Sequence, residues 1–173
     1  MSMDFDAQTI LLAEDNDDDV FIFERAYKQS GTKNPLQVAR DGQELTDYLS
    51  GTGKFADRAK FPLPFLLLLD LKLPLRHGLE VLEWMRTVPA LAKITVVALT
   101  SSAEHRDLGR ARERGARFYL VKPPRAKTLI EMMDVLRAEW SGASATSASK
   151  LEGDLFGETE AAERGRGSGL GRL

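Results

Sequence analysis

The sequence predicts an α/β fold, a five-stranded parallel sheet with helices on both faces. Three observations predict it. Five short apolar runs are spaced along the chain, and the central ones are continuous rather than alternating, as in strands covered on both sides. Each run is followed by a segment with helical periodicity, the crossover that a parallel return requires. The 173 residues suffice for one ordinary domain with some to spare.

The first run is TILLAE, Thr9 to Glu14. In DDDVFIFERAYKQSG the residues Val20, Phe23, Ala26 and Tyr27 recur at helical spacing, acids occupy the first turn and Gly31 supplies a stop. LQVAR follows, then the turn pair Asp41-Gly42 and a short helix from about Gln43 to Ser50. The third strand is Phe65 to Asp70; the helix GLEVLEWMRT after it turns Leu79, Leu82 and Met85 or Arg86 to one face and ends before Pro89. ITVVALT, Ile94 to Thr100, is β-branched, and EHRDLGRARERG is a charged helix ending at Gly115. The last strand is RFYLVK, Arg117 to Lys122, and KTLIEMMDVLRAEW buries Leu129, Met132, Met133, Leu136 and Trp140. One long connection, GTGKFADRAKFPLPF, reads equally as a functional loop or a surface excursion.

Composition changes after Trp140. Small residues, glycine and mixed charges leave little to bury, so a folded domain of residues 1–140 is expected to be followed by a disordered tail of residues 141–173. A formal net charge of −2, with 43% apolar and 29% charged residues, speaks against overall disorder and against a globally basic nucleic-acid binder; no direct DNA binding is expected. The absence of cysteine excludes a disulfide framework, a thiolate metal site and a cysteine nucleophile. The first ten residues have no signal-peptide pattern, and no apolar run approaches the roughly 20 residues that span a bilayer, so a cytoplasmic protein without membrane contact is expected.

In open parallel sheets the reactive crevice lies beyond the carboxyl ends of the strands. Those ends carry Glu14 and Asp15, then Asp70, Thr100 and Lys122. Three carboxylates in one crevice repel one another and call for a cation. Mg²⁺ suits a site of a few carboxylates that keeps waters and accepts phosphate oxygens, while Lys122 can pair with Asp70 and Thr100 offers a hydroxyl. The set points to phosphoryl chemistry: a carboxylate is a competent nucleophile toward phosphorus, and the transferring group needs positioning and cationic stabilisation. Asp70 is therefore the expected phosphoacceptor, Glu14 and Asp15 the metal ligands, and Thr100 and Lys122 the partners of phosphoryl oxygens.

The residues AED, LLLLDLKLP with Gly78 eight positions after the aspartate, ALTS and YLVKPP, each at a strand end and in this order, resemble the receiver domain of two-component response regulators from Thr9 to Trp140. The stretches EDNDDDVFIFERA and FADRAKFPLPF are most similar to the stand-alone regulators paired with bacterial phytochrome-type histidine kinases. The resemblance implies a doubly wound, flavodoxin-like sheet in the order 2-1-3-4-5 and transfer from a kinase phosphohistidine to Asp70. It implies Mg²⁺ held by Glu14, Asp15, Asp70 and the backbone carbonyl of Lys72. It further implies a cis bond at Lys122-Pro123 and a joint movement of Thr100 and Tyr119 on phosphorylation. The Lys72 side chain and Ser102 are the positions through which phosphoryl lifetime would be altered. Homodimerisation is an expectation of the same kind.

Taken singly, these residues have blander readings. A lone strand-end aspartate is ordinarily a cap or turn residue, and the matching ends of the other strands are what single out Asp70. Asp17, Asp18 and Asp19 read as caps and a dipole-favoured first turn. An EF-hand begun at Asp15 would need glycine at Val20 and glutamate at Ala26, so calcium is rejected. His77 and His105 have no partner motif. Two functional classes stay open: a phosphorylation-controlled signalling module that binds partners through the last two strand and helix units, and a receiver-like scaffold that needs no phosphate. Beyond its own phosphorylation and dephosphorylation no enzymatic activity is expected.

Overall fold

A computed structural model describes residues 4–101, 105–142 and 170–173, with only the backbone of 105, 106 and 170; Ser102 lies outside the described residues. The chain alternates strand and helix as β1 (Ile10–Ala13), α1 (Asp17–Gln29), β2 (Leu36–Ala39), α2 (Gly42–Ser50), β3 (Leu66–Asp70), α3 (Gly78–Met85), β4 (Thr95–Thr100), α4 (His105–Glu113), β5 (Phe118–Val121) and α5 (Ala126–Trp140). The first five strands are parallel and lie in the order 2-1-3-4-5.

The continuous apolar runs follow from burial on both faces. Every residue of β1 and β3 is buried. Alternation sends Leu11, Leu67 and Leu69 into one core with Leu45, Leu49, Val81 and Leu82. Ile10, Leu12, Leu66 and Leu68 enter the other, with Val20, Phe23, Leu129, Met132 and Met133. Each such side chain contributes about 1.5–3 kcal/mol by leaving water. The two stripes read from α1 and α5 are thus the faces that cover one side of the sheet. Trp140, expected to be buried, is instead exposed at the end of α5, where it meets Phe5 and Phe65 edge to face.

A sixth strand, β6 (Leu170–Arg172), pairs antiparallel with β5 and extends the sheet by one edge. Of the tail expected to be disordered over residues 141–173, the part from 143 to 169 lies outside the described residues, while 170–172 form this strand, which no periodicity in the composition marks. Leu173 completes the pairing by donating its N–H to the carbonyl of Arg117 at 3.0 Å. Pairing satisfies backbone groups that an open β5 edge would leave to water.

The long connection after α2 is built, not draped. Phe55 is buried, Tyr48 packs on both Phe55 and Phe61 at centroid distances of 5.0 and 6.0 Å, and Arg58 donates to the carbonyls of Tyr48, Leu49 and Phe61. That guanidinium meets carbonyls of the last turn of α2, where a cation is favoured. Among the described residues no helix is long and apolar enough to cross a membrane.

Candidate functional site

Register assembles the site. Ala13 pairs with Leu69 and Thr100 with Val121, so β1, β3, β4 and β5 finish side by side and deliver Glu14, Asp70, Thr100 and Lys122 to one crevice. Glu14, Asp70 and Thr100 are buried; Asp15 is exposed. One ligand oxygen from each of Glu14, Asp15 and Asp70 lies within 4.8 Å of the others, a donor set of hard oxygens suited to a divalent cation.

Lys122 compensates part of this negative charge. Its Nζ donates to Glu14 Oε2 at 2.8 Å, Asp70 Oδ2 at 2.9 Å and Asp19 Oδ2 at 3.0 Å. An ammonium has three N–H donors, and each has a carboxylate. Burial by itself would lower the affinity of Lys122 for its proton; hydrogen bonds to Glu14 and Asp70 outweigh it and hold the ammonium well above the usual lysine range. Glu14 also holds its proton more firmly than an ordinary glutamate. Burial raises its pKa, and the bonds from Lys122 and from the Asn16 N–H offset only part of that. The pocket is thus an anionic site short of positive charge.

Asp70 Oδ1 accepts the N–H of Lys72 at 2.8 Å, which orients the carboxylate from the loop side. The loop from Leu71 to His77 is held by two glycines. At Gly78 a Cβ would lie 2.7 Å from the Cα of Leu71, and at Gly42 a Cβ would fall 1.8 Å from the carbonyl oxygen of Arg76. Gly42 also donates its N–H to the Pro74 carbonyl. The close approach of the α2 terminus to this loop needs the missing side chain. Between the anchors Leu75 adopts φ 63°, closed by the Arg76 N–H on the Pro74 carbonyl at 2.7 Å, and its side chain is exposed.

The hydroxyl of Thr100 donates to the carbonyl of Ser101 at 2.9 Å. Tyr119 lies opposite Ala98 in register, two positions before Val121, so alternation places it on the same sheet face as Thr100. It is half-buried and packs against the core under α3 and α4. The Lys122-Pro123 peptide is cis.

The sequence-selected residues Glu14, Asp15, Asp70 and Lys122 therefore meet, with Thr100 on the neighbouring strand end and Lys72 bonded to Asp70. His77 is the cap of α3, accepting the Leu79 N–H, and no part of this group. The helix cap of α1 is Asn16, which accepts the Asp19 N–H at 3.0 Å; Asp17 is exposed and pairs with Arg40. Asp19, which by sequence reads as a cap or dipole-favoured first-turn residue, also reaches the site through Lys122. Its signal was positional: it stands four residues before the buried Phe23 and so borders the buried stripe of the helix.

Similarity to known proteins agrees with this geometry. Residues 10–134 match the response regulator receiver domain model. The probable methanogenesis regulatory protein FilR2 of Methanothrix harundinacea is 35% identical over 77% of this chain and 83% of its own length. Response regulator Rcp1 of Synechocystis sp. is 33% identical over 77% and 88%, and its solved Mn²⁺-bound form superposes with a TM-score of 0.62 at 32% identity over 79% of this chain and 96% of that one. The bacteriophytochrome response regulator AtBRR is 40% identical over 74% and 91%, with a TM-score of 0.66. With a matching model across most of its length, the strand order 2-1-3-4-5 and an acidic pocket of Glu14, Asp15 and Asp70, the chain belongs to the response regulator receiver domain family, and its relatives include phytochrome-linked regulators.

Proposed function

We propose that this receiver accepts a phosphoryl group on Asp70 from the phosphohistidine of a histidine kinase, in a Mg²⁺-dependent reaction, and signals in the cytoplasm by binding proteins according to its phosphorylation state. The observation that carries the proposal is the hydrogen bond of Lys122 to Asp70 inside an acidic triad of which Glu14 and Asp70 are buried. A carboxylate so placed is held by fixed donors and faces a cation, the two requirements for attack on phosphorus.

Mg²⁺ held by Glu14, Asp15, Asp70 and the carbonyl of Lys72 would supply the charge neutralisation that lets an anionic donor approach. The chain supplies the rest. The Lys72 N–H fixes one oxygen of Asp70. An oxygen lone pair of Asp70 forms the new O–P bond as the N–P bond of the donor breaks. The electron pair of that bond stays on the imidazole, which leaves neutral when its other nitrogen carries a proton. Lys122 stabilises the charge on the phosphoryl oxygens, and the Thr100 hydroxyl reorients from Ser101 to bind one of them. Tyr119, on the same sheet face, follows Thr100 and changes the surface near β5.

A kinase of the phytochrome type is supported by the similarity to AtBRR. The test is intact mass after incubation with acetyl phosphate and Mg²⁺, and again with a histidine kinase donor, for wild type and Asp70→Asn. A gain of one phosphoryl group in wild type alone is expected. No gain from either donor would instead favour a scaffold that works without phosphate, and labelling of the variant would move the acceptor elsewhere.

A further inference from the structure

We infer that Asp19 is a positioning residue for Lys122, the carboxylate that keeps the ammonium in the crevice while Glu14 and Asp70 turn to other partners. This rests on the reading of Asp70 as phosphoacceptor.

Of the three carboxylates bonded to Lys122, two have competing obligations. Asp70 is the nucleophile, and an oxygen joined to phosphorus is no longer an anion. Glu14 and Asp70 also belong to the triad with Asp15, whose oxygens lie close enough together to share a cation. Asp19 is not in that triad. It comes from α1, not from a strand end, and reaches Lys122 Nζ at 3.0 Å from the side of the helix.

Each event of the reaction therefore loosens Lys122 from the strand ends. Glu14 and Asp70 would turn to a divalent cation held with Asp15, whose charge would repel the ammonium, and lysine carries its charge on a flexible four-carbon stem. Without a further anchor the ammonium is free to leave the crevice before a phosphoryl oxygen arrives. Asp19 prevents that through a bond the triad does not contest. Its backbone is fixed by the Asn16 cap, which accepts the Asp19 N–H, and the side chain is only partly exposed, at 38%.

The experiment compares wild type, Asp19→Asn, Asp19→Glu, Asp18→Asn and Lys122→Ala, together with the double variant Asp19→Asn/Lys122→Ala. Asp18 is an exposed neighbour of the same charge and controls for the general field of the helix. The rate of phosphate incorporation at saturating Mg²⁺ is expected to fall about 3- to 10-fold in Asp19→Asn, the size of one half-exposed charged hydrogen bond. Asp19→Glu should recover part of the rate and Asp18→Asn should match wild type. In the Lys122→Ala background the Asp19 substitution should have no further effect, since its action passes through the lysine.

A second readout needs no phosphate. Acylation of Lys122 by an amine-reactive anhydride in metal-free protein, followed by peptide mass, should be about threefold faster in Asp19→Asn, the lower end of the range expected for loss of one such bond. Wild-type rates of incorporation and of acylation in Asp19→Asn, or an equal loss with and without Lys122, would overturn the inference. A wild type that incorporates phosphate separates that outcome from failure of the underlying reading. A wild type that takes no phosphate from any donor overturns both.

Discussion

The ring of Tyr119 rests on Gly171 so closely that a Cβ on the glycine would fall 1.8 Å from Cε1 of the tyrosine. The two residues are direct partners in the antiparallel register of β5 and β6. Only a residue without a side chain lets the last strand lie flat over this aromatic. Gly171→Val should therefore release β6 from the sheet while leaving the receiver folded and able to take phosphate. Hydrogen exchange at residues 117–121 should speed up, and limited proteolysis should trim the C-terminus faster; unchanged exchange in the variant would mean the strand is not seated there.

Gly42 tests the loop that orients Asp70. Gly42→Ala places a methyl group into the Arg76 carbonyl, a backbone group with little room to give, and should destabilise the protein by about 1–3 kcal/mol. Phosphate incorporation should slow as well, because the same loop carries Lys72. The contrast is Gly109 in α4, where nothing lies within 4 Å of an added Cβ. Gly109→Ala should stabilise by about 0.5–1 kcal/mol. Denaturant melts of the two variants decide whether the close approach outweighs the gain in helix propensity at Gly42.

Lys122→Met removes the ammonium bonded to Glu14, Asp19 and Asp70. Two buried carboxylates then face each other uncompensated, at a cost of about 2–4 kcal/mol in metal-free protein. Divalent cation should bind this variant more tightly than wild type, since no ammonium must be displaced, and should restore part of the lost stability. Thermal melts with and without Mg²⁺ measure both effects. A variant as stable as wild type in chelator would show that the carboxylates had found other relief.

Acid should weaken the α2 terminus through Glu44. Burial would raise its pKa, but hydrogen bonds from Lys54 at 2.6 Å and from the Arg40 N–H at 2.7 Å prevail and lower it beneath the ordinary 4.5. The unfolded chain then binds the proton more readily than the folded one. The stabilisation is present above pH 4.5 and is lost as pH falls through the lowered folded value. Glu44→Gln should lose about 0.5–1 kcal/mol at neutral pH and show less change across that acid window. Urea melts at several pH values between about 3 and 7 check the slope.

Fold class and most of the site were legible in the order of the residues. Continuous runs such as Leu66 to Leu69 admit burial on both faces only, helical stripes such as Val20, Phe23 and Ala26 need a sheet to cover, and alternation of the two leaves little but a parallel sheet. Once the strands are parallel, their carboxyl ends share one rim, so Glu14, Asp70, Thr100 and Lys122 could be named before any coordinates. The remainder came from contacts made across long separations by residues with no periodic signature. Asp19 joined the site because the fold brings the first turn of α1 within hydrogen-bond reach of Lys122, 103 residues away in sequence. Gly42 and Arg76 met because the α2 terminus docks on the β3 to α3 loop, and β6 found the β5 edge through backbone groups that nearly every residue carries. Hydrophobic pattern is a property of a local window and survives in the sequence. Close approach and charge pairing depend on where distant segments come to rest, and a single chain leaves no local mark of that.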